Sequence, residues 1–297
     1  MNEIRPLVSV LMTAYNRERF IAEAIESVLG STYTNFELII LDDCSSDTTL
    51  EIAHVYAKRD SRIRVYKNGH NLGDYNNRNQ AASYATGKYI KYVDSDDIIY
   101  SHGLEVMVKA MEKYPECAVG IVSLYIQEEK PYPFILNPEE SYRRHFYEKG
   151  IFETGPGGLI FNTEKFMQIG GFSGKRYIGD IEINLRLAAK WPIVKIASSL
   201  IFWRQHEQQE YAIGTSSNGY LELLLPMYEE ELGKADCPLS GDQRKAIIRY
   251  YRKLSARKIL NMAFRSREAG LAVKMYKQLA IRPRDIFDAT FFIKKRY

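Results

Sequence analysis

Short apolar runs closed by polar loops alternate with stretches of helical period through the first hundred residues. Val8-Ser9-Val10-Leu11-Met12 is such a run, closed by Thr13-Ala14-Tyr15-Asn16, and apolar residues then recur at Ile21, Ile25, Val28 and Leu29. That spacing predicts a strand, a loop and a helix. Residues 36–41 form a second run ending in Asp42-Asp43-Cys44-Ser45-Ser46-Asp47, whose last Asp can cap a helix carrying Ile52, Val55 and Tyr56 on one face. Residues 62–66 read as a third strand and 76–85 as a small-residue helix. Tyr89-Ile90-Lys91-Tyr92-Val93 reads as a fourth strand, running into Asp94-Ser95-Asp96-Asp97. Strands alternating with helices of this length predict an α/β fold with a mostly parallel, doubly wound sheet flanked by helices.

Beyond residue 100 the pattern predicts a helix over 101–114 and a strand over 118–124. Residues 127–158 carry Pro131, Pro133, Pro138 and a Gly155-Pro156-Gly157-Gly158 turn without periodicity, and a long insertion of this kind reads as a substrate loop. A strand over 159–161, Gly170-Gly171-Phe172 and a helix starting near Asp180 complete the domain, which is set at 1–219. From 220 to 297 the chain reads as a helical, basic C-terminal extension.

Composition narrows the class. The 297 residues are 45% hydrophobic, 26% charged and 12% aromatic, which fits a soluble globular protein and excludes disordered, collagen-like and disulfide-scaffold chains. No apolar run approaches the ~20 residues that span a bilayer, and residues 1–6 lack a signal-peptide core. Cys44, Cys117 and Cys237 stand at unrelated spacings, so neither a disulfide framework nor a zinc site is expected, in keeping with the cytoplasm. The net charge of +4 hides an asymmetry: residues 239–297 hold 16 Lys/Arg against 4 Asp/Glu. That segment is expected to face a different partner or a different surface from the acidic remainder.

In open α/β sheets ligands bind beyond the carboxyl ends of the strands, where the strand order reverses. The loops there carry Thr13, Tyr15 and Asp43, offering a hydroxyl, a ring and a carboxylate of the kind a nucleotide needs. Asp94 and Asp96, on alternate residues after a buried strand, call for a cation. Oxygen-only ligands suit Mg²⁺ or Mn²⁺ chelated by a nucleoside diphosphate. Taken alone, the triplet reads equally well as solvated acids capping the helix that follows. No Gly-x-Gly-x-x-Gly follows the first strand and no Gly-x-x-x-x-Gly-Lys occurs, against a nicotinamide site and a P-loop.

Residues 6–17, Ser27-Val-Leu, the segment Asn35-Phe-Glu-Leu-Ile-Ile-Leu-Asp-Asp43 with Ser45 and Asp47, Ala85-Thr-Gly-Lys-Tyr-Ile90 and Val93-Asp-Ser-Asp-Asp97 together resemble glycosyltransferase family 2 in order and spacing. The resemblance covers roughly 6–206 and implies a GT-A, Rossmann-like fold with a nucleotide-binding half (1–100) and an acceptor half (101–219). It implies that Thr13, Tyr15 and Asp43 hold the nucleoside, Asp43 accepting the base N3–H, which favours a UDP or dTDP sugar. It further implies that Asp94 binds ribose or sugar hydroxyls, that Asp96 holds Mn²⁺ or Mg²⁺, and that Arg78, with Asn79, lies near the nucleotide and donor sugar. Asp180 is the implied base of an inverting transfer, in a segment that is acidic-Asp-x-x-x-x-x-Arg in the family and Gly179-Asp180…Arg186 here. The missing first acid weakens any role shared by two acids, and an N-cap is the other reading of Asp180. Glu182 and Arg186, four apart, read as a helix ion pair. His206 matches a late family position that can reach the metal.

The family's processive Gln-x-x-Arg-Trp is absent, which favours single sugar addition over polymerisation. The expected partners are a nucleotide-diphospho-sugar and a saccharide or lipid-linked saccharide acceptor in cell-surface polysaccharide or glycolipid assembly. For the basic end, core packing with a solvated face competes with attachment to anionic lipid at the inner face of the membrane, for which Phe287, Phe291, Phe292, Ile293 and Lys294-Lys295-Arg296 are suited. No base-reading motif supports nucleic acid. The rival activities are a sugar-phosphate nucleotidylyltransferase, which would want a glycine-rich loop after the first strand, and a non-catalytic nucleotide-sugar or membrane-surface binding protein.

Overall fold

The computed structural model describes residues 5–123, 128–206, 219–266 and 268–290. Two compact units form, Met1–Ser141 with Ile151–Gln205, and Tyr142–Gly150 with His206–Tyr297.

The first unit is built on an eight-stranded sheet. In chain order its elements are β1 (Val8–Ala14), α1 (Ile21–Leu29), β2 (Phe36–Asp42), α2 (Thr49–Ala57), β3 (Ile63–Lys67), α3 (Asp74–Ala82), β4 (Tyr89–Tyr92), β5 (Ile98–Ile99) and α4 (Gly103–Lys113). There follow β6 (Val119–Val122), β7 (Phe134–Leu136), α5 (Pro138–Arg143, whose last two residues belong to the second unit), β8 (Leu159–Asn162), α6 (Thr163–Gln168), α7 (Gly179–Ala188), β9 (Ile193–Ile196) and β10 (Ile201–Phe202). The strand order is β3-β2-β1-β4-β8-β6-β9-β7, with β5 and β10 paired separately. From β3 to β4 every pairing is parallel. β8 runs antiparallel between β4 and β6, and β7 antiparallel to β9.

Strands β1, β2 and β4 are buried on both faces, which explains their near-continuous apolar sequences. Val10, Leu11, Met12, Leu38, Ile39 and Ile40 are almost wholly buried, and burying each such side chain contributes about 1.5–3 kcal/mol. Within the Ala85-Thr-Gly-Lys motif, Gly87 is required by the β1 backbone, since a Cβ there would lie 2.6 Å from the Ser9 nitrogen and 2.7 Å from the Leu7 carbonyl oxygen.

The insertion at 127–158 is not wholly irregular, which corrects the expectation for it. Phe134–Leu136 is the edge strand β7, in register with β9 from Phe134↔Lys195 to Leu136↔Ile193. Pro133 immediately before it suits an edge position, where a missing N–H costs least.

In the second unit the helices are α8 (Gly219–Gly233), α9 (Gly241–Phe264), α10 (Ala269–Gln278) and α11 (Pro283–Thr290). Leu225, Ala256, Ile259, Met275, Leu279 and Ala289 form its core. Ser240 and Gln243 start α9 with a reciprocal capping box. Residues 142–150 belong here too: the buried His145 ring lies 3.1 Å from the Tyr228 hydroxyl, and Phe146 packs edge-on to Tyr228 and Tyr251.

Candidate active site

The strand order turns outward from β1 toward β2 on one side and β4 on the other, so the crevice beyond their carboxyl ends is the fold's ligand position. Thr13, Tyr15, Asp43, Asp94 and Asp96 all stand on the last residues of those strands or the loops after them. The loops after β1 and β2 are stitched together. Asn16 takes a positive φ of 53°, which Asn tolerates, and its Oδ1 accepts the Ser46 N–H while its own N–H donates to Ser45 Oγ. The Arg17 N–H donates to Thr49 Oγ1, and Asp47 accepts the backbone N–H of both Glu18 and Thr49. The Ser and Asp positions of the resemblance therefore build the walls of the crevice. Ser95 Oγ ties the acidic loop to the end of β1 by donating 2.8 Å to the Thr13 carbonyl.

Tyr15 is 47% exposed, a ring open to a planar ligand. Asp43 is buried and holds the loop before α3: Oδ1 accepts from Leu72 N–H and Asn68 Nδ2 at 2.8 Å, and Oδ2 from Gly73 N–H at 3.0 Å. A carboxylate has about four acceptor positions, so one on Oδ2 remains.

The carboxylates of the acidic loop meet cations of the chain itself. Arg17 Nε lies 2.8 Å from Asp96 Oδ2. Arg78 bridges Asp74 Oδ1 at 2.8 Å and Asp94 Oδ1 at 2.7 Å. Burial opposes the Arg78 charge, but Asp74 and Asp94 outweigh it and hold the guanidinium firmly protonated. Asp97 points inward, its Oδ1 accepting the Arg204 N–H at 3.0 Å, and burial, reinforced by Asp94, pushes its carboxyl well above the carboxylate range. Lys91, wholly buried on β4, donates to the Tyr92 and Gly157 carbonyls, and burial pulls its ammonium down against the opposing effect of Asp94 and Asp97. Arg17 and Lys91 escaped the sequence reading. The requirement for a cation beside Asp94 and Asp96 was the available signal, and Arg17 lies within the Thr-Ala-Tyr-Asn-Arg segment itself.

Asp94 and Asp96 fit a divalent cation. Mg²⁺ and Mn²⁺ favour one or two carboxylates completed by substrate phosphate oxygens. Here Asp96 presents an oxygen that already attracts a cation, and Asp94 keeps Oδ2 beside the Oδ1 that Arg78 holds.

Asp180 lies in the first turn of α7. Its Oδ1 accepts the Ile181 N–H at 2.8 Å, its own N–H donates 3.2 Å to the Tyr75 hydroxyl, and burial pushes its carboxyl up to about 7. The cap residue of α7 is Ile178, so the N-cap reading of Asp180 does not hold. Nor do Glu182 and Arg186 pair with each other. Glu182 takes Lys175 at 3.1 Å and Ser173 Oγ, whereas Arg186 donates to the carbonyls of Ile169 and Gly171, because the 169–173 turn folds across α7 and offers both groups nearer partners. Asn79 clamps the same turn, accepting the Phe172 N–H at 2.9 Å and donating to its carbonyl at 2.7 Å. His206 belongs to the second unit.

The Arg78 bridge carries a stability prediction. Arg78→Met strands Asp74 and Asp94 without their cation, a change that costs about 3–5 kcal/mol for a fully buried pair. With a quarter of the Asp94 side chain exposed, the expected loss is about 2–3 kcal/mol. Urea unfolding measures it, and a loss under about 0.5 kcal/mol would show the bridge to be idle.

The eight-stranded mixed sheet with its flanking helices is a GT-A architecture, with the acidic loop at the carboxyl end of β4. The sequence model described as Glycosyl transferase family 2 matches residues 9–170, and the chain belongs to that family. Among curated relatives it is 46% identical over 110 residues to the putative glycosyltransferase EpsE of Bacillus subtilis, covering 37% of this chain and 40% of EpsE. It is 43% identical over 107 residues to the UDP-Glc:alpha-D-GlcNAc-diphosphoundecaprenol beta-1,3-glucosyltransferase WfgD of Escherichia coli, covering 36% and 42%. The first such relatives are matched over a third to about half of their length. Among solved structures, S. aureus TarS residues 1–349 superpose with a TM-score of 0.67 at 17% identity, covering 95% of this chain and 82% of that one. The mannosyltransferase PcManGT of Pyrobaculum calidifontis, in complex with GDP-Man and Mn²⁺, gives 0.61 at 17%, covering 96% and 84%. These likenesses concern the fold.

Proposed function

We propose that the protein moves one sugar from a UDP- or dTDP-linked donor to an acceptor hydroxyl with inversion, in the assembly of a cell-surface polysaccharide or glycolipid. The observation that carries the reading is the joining of two groups through α3. Arg78 on this helix holds Asp94 at the donor end, and Tyr75, three residues earlier, meets Asp180. In the reaction, Asp180 takes the proton of the acceptor hydroxyl as its oxygen attacks the anomeric carbon. The bond from that carbon to the diphosphate breaks, and the nucleoside diphosphate leaves with the electron pair. Tyr15 would lie against the base, Thr13 beside the nucleoside, Asp43 Oδ2 would accept N3–H, and Asp94 would bind ribose or sugar hydroxyls. Asp96 would hold Mn²⁺ or Mg²⁺, which supplies positive charge to the diphosphate oxygens. The test is thermal stabilisation by UDP-, dTDP-, GDP- and CMP-sugars with and without Mn²⁺. UDP- or dTDP-sugars should raise the melting temperature most, and only with metal; preference for a GDP- or CMP-sugar would overturn the base reading.

The acceptor is proposed to be a lipid-linked saccharide, in line with the diphosphoundecaprenol in the name of WfgD. The second unit supports attachment to an anionic bilayer surface. Its core-facing side packs, while Arg249, Arg257, Lys258 and Phe264 of α9 and Arg265 just after it are exposed. Phe287 is 67% exposed, whereas Phe291, Phe292, Ile293, Lys294, Lys295 and Arg296 lie outside the described residues. No described helix is long and apolar enough to cross a membrane. Each basic residue at such a surface contributes about 1 kcal/mol, falling off within a Debye length. Cosedimentation with anionic vesicles at low salt is expected, with release near about 0.5 M salt. Arg257→Glu/Lys258→Glu/Arg265→Glu should weaken binding by about 10²-fold or more. Equal sedimentation with zwitterionic vesicles would contradict the electrostatic reading.

A further inference from the structure

Gly179 stands where the resemblance expects an acid, and the structure shows what occupies the space. A Cβ on Gly179 would lie 2.7 Å from Cε2 and Cζ of Tyr75 and 2.9 Å from Cδ2. Its φ is outside the left-handed region, so glycine is needed here for room and not for backbone freedom. The Tyr75 ring is 7% exposed and packs against Phe172 at 4.9 Å. Its hydroxyl accepts the Asp180 N–H at 3.2 Å. That N–H is one of the first helical donors with no partner inside α7, and the cap position, Ile178, has no side-chain acceptor to offer.

Tyr75 is itself held from several sides. The next turn of α3 carries Arg78, bound to Asp74 and Asp94, and Asn79, bound to both backbone groups of Phe172. Arg186 of α7 donates to Gly171 in the same turn. Helices α3 and α7 are thus linked twice, directly at the Tyr75–Gly179 contact and through the Gly171-Phe172 turn that Asn79 and Arg186 both hold.

We propose that Tyr75 is a positioning residue for Asp180: its ring fills the space beside Gly179 and its hydroxyl anchors the Asp180 backbone, fixing the direction in which the carboxylate faces the acceptor. The inference rests on the reading of Asp180 as the base. A positioning group acts on the chemical step and leaves donor binding alone, because misplacement by a fraction of an ångström costs rate before it costs affinity.

The test is steady-state kinetics well below the melting temperature. Tyr75→Phe keeps the ring and removes only the hydroxyl, so kcat is expected to fall about tenfold with donor KM within about twofold. Gly179→Ala, which drives a Cβ into the ring, should also cost about tenfold or more in kcat, but under about twofold in a Tyr75→Ala background, where the ring is gone. A normal kcat in Tyr75→Phe, or equal costs of Gly179→Ala in both backgrounds, would overturn the proposal, and Tyr75→Phe decides alone if Gly179→Ala fails to fold. Asp180→Asn separates the two readings. If that variant is inactive while Tyr75→Phe is normal, only the positioning role fails; if it turns over normally, the base reading fails and takes this one with it.

Discussion

Asp180→Asn is expected to fold, to bind donor as the unmodified protein does, and to turn over roughly 10²–10⁴-fold more slowly, the range for losing a general base. Asparagine keeps an oxygen for the Ile181 N–H that Asp180 Oδ1 now accepts at 2.8 Å, so the first turn of α7 survives. The pH dependence has a definite sign. Burial raises the Asp180 carboxyl from 3.8 to about 7, so the neutral acid favours folding below about pH 4 and that contribution is lost as pH rises through about 7. Activity runs the other way, because only the carboxylate takes a proton: kcat/KM should rise with an acid limb near pH 7. At pH 8 the Asp180→Asn protein, neutral at this position, should therefore melt no lower than the parent. Activity and melting temperature falling together would return Asp180 to a purely structural role.

Asp96→Ala is expected to abolish the gain in UDP affinity that Mn²⁺ brings, a loss of at least about tenfold, or ~1.4 kcal/mol. Without metal the affinity should be unchanged or slightly higher. Arg17 places its Nε on Asp96 Oδ2 at 2.8 Å, and removing that carboxylate leaves one charge fewer to repel a diphosphate beside this guanidinium, whose NH1 stays on the Tyr15 and Asn16 carbonyls. Isothermal titration of UDP with and without Mn²⁺ separates the two effects. Equal UDP affinities of parent and variant, each with Mn²⁺, would remove Asp96 from metal binding.

What was legible in the sequence follows period and buried runs. Strands β1, β2 and β4 announce themselves because both faces are covered, and Asp94 and Asp96 because acids directly after a buried strand demand a cation. Strand β7 was hidden: three residues at a sheet edge, after a proline, carry no alternation long enough to detect. The antiparallel insertion of β8 was hidden as well, since a buried run has no direction. Partner choice was the other blind spot. The i,i+4 rule pairs Glu182 with Arg186, yet tertiary neighbours outbid it with Lys175 and the Gly171 carbonyl. Lys91 interrupts the apolar run Tyr-Ile-Lys-Tyr-Val, and a lone Lys in a strand ordinarily marks a solvent-facing position, yet it is wholly buried. Gly179 was visible as a departure from the family, but its reason, the Tyr75 ring, comes from a helix about a hundred residues away in sequence.

A single displacement assisted by Asp180 leaves its mark on the product when water is the acceptor. Proton NMR of the first sugar released from an α-linked UDP- or dTDP-sugar, recorded before the anomers equilibrate, reports the configuration at the reacting carbon. The β anomer should appear first, in step with free nucleoside diphosphate and far more slowly in Asp180→Asn. An α anomer appearing first, or no release from any donor with Mn²⁺ present, would contradict it.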